Sequence, residues 1–281
     1  MSRRQALSPR LRAVLLTLAC IAPGQGAMAD TDERAPAEEL KVTYVANEGF
    51  LLESGGRKVL VDALFGDYPL YIAIPDEVRS QVVEARGPFA DVDLLLASHH
   101  HADHFDARAV VTHLLANPKA TFVSTPQAVA KVREQKGYEK VSERVRGVYP
   151  MEGTRASFPE LGLEVLNLHH GRDRKPLVEN LGLLFRVGAF KVLQVGDTQL
   201  TRQELAATGL DMDGIDLAMV PDWLLIYDDW KGMVESIVRP KYLAAIHLQA
   251  DYGPKDFERI RQASPQAVFF EKTMETRVFS K

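Results

Sequence analysis

The run His99-His100-His101-Ala102-Asp103-His104 constrains this chain more than any other feature. It follows Asp93-Leu94-Leu95-Leu96-Ala97-Ser98, an apolar stretch of the kind that forms a buried strand in an α/β sheet. His99, His101, Asp103 and His104 fit the pattern H-x-H-x-D-H. In extended backbone, residues two apart project to one side, so His99 and His101 are expected to meet one metal ion. Asp103 and His104 fall where the chain turns into a helical stretch, 106–116, and are placed to address a second ion. Imidazole and carboxylate together suit zinc, or a similar divalent ion such as manganese or iron.

Other chemistry-bearing residues occupy the same kind of place. Strands are expected over 41–46, 50–53 and 58–62, the last two joined by the Gly55-Gly56 turn. Further strands are expected over 120–124, 163–168, 181–187, 191–195, 215–220 and 242–246, with helices over 75–85 and 126–135. His169-His170-Gly171, Gly196-Asp197-Thr198 and His247 each follow one of these strands directly. Strand ends on one rim are where α/β folds gather their chemistry. Seven of the eight histidines lie at such ends; His113 sits mid-helix and reads as an ordinary core or surface residue. Hairpins open the chain and later strands alternate with helices, which predicts an α/β fold of two packed sheets flanked by helices.

The first 29 residues read differently. Arg3, Arg4, Arg10 and Arg12 precede an apolar stretch, 13–22, and Ala27-Met28-Ala29 is a small-x-small cleavage pattern. This is the pattern of a secretory signal peptide, too short in its apolar part to span a membrane. Residues 30–281 are then one catalytic domain, periplasmic or secreted. Losing the four arginines moves the net charge from −4 to −8, with 30 basic against 38 acidic residues. Such a balance argues against nucleic acid as a partner. Cys20 is the only cysteine, so the mature chain has no thiolate nucleophile or ligand.

Taken together, Ser98–His104, His169-His170-Gly171, Val195-Gly196-Asp197-Thr198 and Ala245-Ile246-His247 resemble the metallo-β-lactamase-fold hydrolase superfamily over essentially all of the mature chain. The resemblance implies an αβ/βα four-layer sandwich, two mixed β-sheets flanked by helices, with a dinuclear site at one edge. It also implies a ligand set: His99, His101 and His170 for the first ion, Asp103, His104 and His247 for the second, and Asp197 between them. His170 is preferred to His169 because it directly precedes the Gly171 break. A bridging Asp197 is unlike the metallo-β-lactamases proper, which usually carry Cys or Ser there. Val45–Phe50 and Asn180-Leu181-Gly182 look more like the branch of the ascorbate-6-phosphate lactonase and the N-acyl-phosphatidylethanolamine phospholipase D.

The implied activity is metal-dependent hydrolysis of a small ester, lactone or phosphodiester by a metal-bridging hydroxide, with two divalent ions, zinc first and Mn2+ or Fe2+ as alternatives. Asp103 is the expected catalytic residue, orienting the hydroxide and carrying a proton to the leaving group. Gly-x-Ser-x-Gly is absent, so a serine hydrolase has no support. Two other readings use the same residues: an iron-dependent redox enzyme, and a non-catalytic metal-binding protein. Aromatic-rich segments 65–75 and 221–230 are the candidates for contact with a small-molecule substrate, and Arg172, Arg174 and Lys175 for gripping a phosphate or carboxylate. Asp62 is placed to bond a ligand histidine or to cap its own turn.

Overall fold

Apolar residues alternating along short strands build two seven-stranded sheets in the computed structural model, which describes residues 38–66, 68–172 and 175–281. The expected signal peptide and Arg174 lie outside the described residues. In the first sheet, β1 (Glu39–Ala46), β2 (Gly49–Ser54) and β3 (Arg57–Val61) pair antiparallel. Then β4 (Leu94–Leu96), β5 (Thr121–Ser124) and β6 (Val145–Gly147) continue it in parallel. The second sheet follows the same plan. β7 (Arg155–Phe158), β8 (Leu163–Asn167), β9 (Leu181–Val187) and β10 (Phe190–Gln194) are antiparallel. β11 (Leu217–Pro221), β12 (Tyr242–Ile246) and β13 (Ala267–Val268) then run parallel. The last strand, β14 (Thr276–Ser280), returns to cover the free edge of β1.

Period-two alternation sends each strand's side chains to two cores. Val59, Val61, Leu94 and Leu96 meet Leu181, Leu183, Phe185 and Met219 between the sheets. Leu60 and Leu95 turn outward against α1 (Asp76–Val83), α2 (Ala107–Ala116) and α3 (Pro126–Arg133). Ala218 and Val220 turn the other way, against α4 (Arg202–Ala207), α5 (Trp223–Ile226), α6 (Asp228–Met233) and α7 (Pro254–Ala263). The result is the four-layer αβ/βα sandwich expected from the sequence. Local chemistry fixes the helix starts: Asp106 Oδ1 accepts from Ala109 N at 2.7 Å, and Thr125 Oγ1 from Ala128 N at 3.1 Å. Among the described residues no helix is long and apolar enough to cross a membrane.

One expectation needs correction. The strand before the histidine run ends at Leu96, and the chain is bent, not extended, from Ser98 to His101. The ladder simply runs out: Ala97 N still donates to Val123 O at 3.3 Å, but Ser98 N is taken by the Asp62 carboxylate at 2.7 Å. His101 O then accepts from His104 N and Phe105 N, closing a turn.

Candidate metal centre

The rim where both sheets end carries the chemistry. His99, His101, His170 and Asp197 each offer one ligand atom, and these lie within 4.8 Å of one another. Asp103, His104, Asp197 and His247 form a second group by the same measure, so Asp197 belongs to both. Its Oδ2 is 3.1 Å from His170 Nε2 and 3.3 Å from His247 Nε2, while Oδ1 is 3.2 Å from His104 Nε2. His99 Nε2 lies 2.9 Å from His101 Nδ1, and Asp103 Oδ2 lies 3.9 Å from His247 Nε2. The bend after Ser98, rather than strand periodicity, brings His99 and His101 together.

All seven positions drawn from the sequence thus converge. His169 does not join them: its Nε2 is 3.4 Å from Glu204 Oε1 on α4. Arg172 is engaged by Glu152 at 2.9 Å and by Glu204, so its guanidinium is committed to carboxylates of this chain rather than held ready for an anion. His113 is fully buried and bonds Val82 O through Nδ1 at 2.6 Å, tying α2 to α1.

Backbone conformation aims several of these side chains. Asp197 follows Gly196, whose φ of 56° lies in the left-handed region. A Cβ on Gly196 would stand 2.1 Å from Asn180 Oδ1 and 2.8 Å from Ser98 Cβ. That close approach lets Asn180 Oδ1 accept from Asp197 N at 3.1 Å while its amide donates to Leu168 O and Val195 O, joining the ends of β8 and β10. His247 itself has φ 63°, an unusual backbone for a residue with a Cβ and a mark of local strain.

A buried network holds the imidazoles. Asp62 accepts from Ser98 N, Ser98 Oγ, Gln194 Nε2 and His104 Nδ1, the last at 2.9 Å. Ser98 Oγ in turn is 3.0 Å from His99 Nδ1. With Nδ1 of His99 and His104 occupied, Nε2 of each is left for the centre of the cluster. Tyr71 Oη sits 2.8 Å from His247 Nδ1, and the Trp223 ring packs edge-on to the same imidazole at 4.7 Å.

Electrostatics divide the ligand set. His99, His101 and Asp197 are held in the form that binds metal. Against burial, Asp197 and Asp62 hold the His104 pKa well above its ordinary value, and Glu48 and Asp197 bring His247 up to about 9. These two therefore release a proton when an ion binds. Burial, aided by the nearby His104 charge, holds the His99 pKa well below its ordinary value, and burial brings His101 down to about 4. Burial works against ionising Asp197, but the charges of His104 and His247 outweigh it and hold that carboxyl well below its usual range. Neutral imidazole and ionised carboxylate are the forms that bind metal. Buried His104 Nε2, His170 Nε2 and Asp197 Oδ1 have no hydrogen-bond partner in the protein, an arrangement that a cation would satisfy. The donor set fits zinc, manganese or iron.

Glu48 was missed by the sequence reading. It follows Asn47 in the β1–β2 turn and is fully buried, and neither carboxylate oxygen has a hydrogen-bond partner. Burial pushes its pKa up to about 7, against the pull of His247 and His104. The one signal available was an acid between two apolar strands, in Ala46-Asn47-Glu48-Gly49-Phe50.

Known proteins share this sequence and fold in part. The chain is 27% identical over 187 residues to a UPF0173 metal-dependent hydrolase of Heliobacterium modesticaldum, covering 65% of this chain and 70% of that one. It is 26% identical over 217 residues to one of Carboxydothermus hydrogenoformans, covering 74% and 84%. Among solved structures, the fold resembles Igni18, a metallo hydrolase of Ignicoccus hospitalis, with a TM-score of 0.57 at 17% identity, over 86% of this chain and 99% of that one. The model of the β-lactamase superfamily domain matches residues 57–262, most of the chain, and the protein belongs to that family.

Proposed function

We propose that this metal-dependent hydrolase works with two divalent ions, zinc in the first place, and cleaves a small ester, lactone or phosphodiester outside the cytoplasm. His99, His101 and His170 would hold one ion, Asp103, His104 and His247 the other, with Asp197 shared. The single observation that carries this is Asp197, whose two oxygens reach histidines of both groups. Bound divalent ions supply Lewis acidity and bring a water's pKa from 15.7 to about 7.

The protein's own groups do the rest. Asp62 and Ser98 fix the rings of His104 and His99, so little reorganisation is needed when substrate arrives. Asp103 Oδ2, beside His104 and His247, is the carboxylate proposed to accept a proton and pass it to the leaving group. Export is supported by the basic and apolar start of the chain and its Ala27-Met28-Ala29 pattern.

Elemental mass spectrometry on protein purified without added metal tests the proposal. Two zinc or manganese ions per chain are expected, falling to one or none in Asp197→Ala. One ion or fewer in the wild type would sink it, and two irons in a coloured protein would favour redox chemistry.

A further inference from the structure

Glu48 is a buried acid outside the ligand set. It is fully enclosed, and neither carboxylate oxygen has a hydrogen-bond partner. Such a group costs stability, so its retention calls for a use. Asp222, another buried acid that feels the charge of His247, differs in accepting from Tyr252 Oη.

The β1–β2 turn holds Glu48 against the second ligand group. On one side Asn47 has a left-handed φ of 54°, and its Nδ2 donates to Asp103 O at 3.0 Å. On the other, a Cβ on Gly49 would stand 2.6 Å from Ala63 Cα and 3.0 Å from Asp62 O. The flanking residues therefore touch the chain at Asp103 and at Asp62, whose carboxylate bonds His104. The charges acting on Glu48 are those of His247, His104, Asp197 and Asp103, the four members of the second group. Glu48 itself belongs to neither set of converging ligand atoms, so its influence on an ion passes through the field and not through a bond.

We propose that Glu48 is a positioning residue of the second ion, a carboxylate that compensates the ion's charge from outside the ligand set and raises that site's hold on a divalent cation. The proposal rests on the two-ion reading above and names a residue that makes the two sites unequal. Two divalent ions bring four positive charges to a buried rim, more than Asp62, Asp103 and Asp197 balance. One further carboxylate on the His247 side lowers the cost of an ion there, while the metal-free protein has to keep that acid unpartnered.

Competition for zinc with a chromophoric chelator tests this by affinity alone. Two binding steps are expected in the wild type. Glu48→Gln keeps the shape and removes the charge, so one step should weaken about 10- to 100-fold, as for other groups that support a metal site from outside, and the other by less than about threefold. Added to His101→Ala, which spoils the first group, Glu48→Gln should weaken the remaining step as strongly; added to His247→Ala, it should not. Glu48→Asp, which retains the charge, should lose less than Glu48→Gln. Metal-free Glu48→Gln is expected to melt no lower than the wild type, which separates lost affinity from lost folding. Both steps unchanged, or both weakened alike, would overturn the proposal, and so would a Glu48→Asp as weak as Glu48→Gln. A single step in the wild type would count against two ions, and the proposal would then stand or fall on whether Glu48→Gln weakens that step. Absence of turnover by the zinc-loaded protein bears on the hydrolase reading alone.

Discussion

Asp62 accepts four hydrogen bonds, and through them one side chain governs the orientation of two histidines. Replacing it with Asn puts an amide donor among groups that need an acceptor. Asp62→Asn should cost about 3 kcal/mol of stability, the usual range for one member of a buried charged network. Zinc affinity should fall about 10- to 100-fold, as for other groups that hold a ligand histidine. Urea denaturation and competition with a chromophoric chelator would measure the two effects. Glu48 makes the opposite prediction. Its folded pKa of about 7 stands above the ordinary 4.5, so the stability of the metal-free protein is full below about pH 4.5 and declines as Glu48 ionises on the way through pH 7. Glu48→Gln removes that decline. In chelator-treated protein, the variant's advantage should grow from near zero at pH 4.5 to about 3 kcal/mol at pH 8. No gain at pH 8 would mean the carboxylate finds a partner. The convergence of His99, His101, Asp103, His104, Asp197 and His247 was legible because metal-binding residue types directly followed apolar strands. Glu48 was not, because an acid in a turn ordinarily faces water and only its burial sets it apart.

At the scale of elements, central strands were readable and edges were not. β9 and β12 match the apolar runs 181–187 and 242–246 to the residue. β6, β7 and β14 have mostly exposed or half-exposed side chains, so no alternation announces them; pairing with a neighbour alone makes them strands. The short helix α5 and the first half of α6 lie in the aromatic segment 221–230, where rings at irregular spacing hide any helical period. α4 is legible in hindsight by its cap: Thr201 Oγ1 accepts from Glu204 N, and the Glu204 carboxylate accepts from Thr201 N at 2.8 Å. Thr201→Ala should lower stability by about 1 kcal/mol, read from a denaturation midpoint at unchanged slope. Because Glu204 also meets His169 and Arg172, fraying α4 should loosen the polar rim as well.

For the whole molecule, each sheet contains three antiparallel pairings followed by three parallel ones, although no repeat is visible in the sequence. The two-sheet plan was readable from hairpins giving way to strand-helix alternation. The way the sheets face each other was not, because it depends on which alternate side chains meet across Val61, Leu96, Leu183 and Met219. Candidate ligands come from both sheets, so metal bound at the rim would brace one against the other. Stripping metal should lower the melting temperature by about 8–16 °C, from about 4 kcal/mol of linkage at a thousandfold excess over Kd and 2–4 °C per kcal/mol. Differential scanning fluorimetry with chelator and with zinc restored would show it. An unchanged melting temperature would mean the sheets are braced by their apolar interface alone. The surface turn at Met151, 78% exposed between β6 and β7, divides the chain so that His99, His101, Asp103 and His104 precede it, while His170, Asp197 and His247 follow it. Neither piece carries the whole of either ligand group, so the centre is a coincidence detector: it is assembled only when both halves of the polypeptide have folded onto one rim.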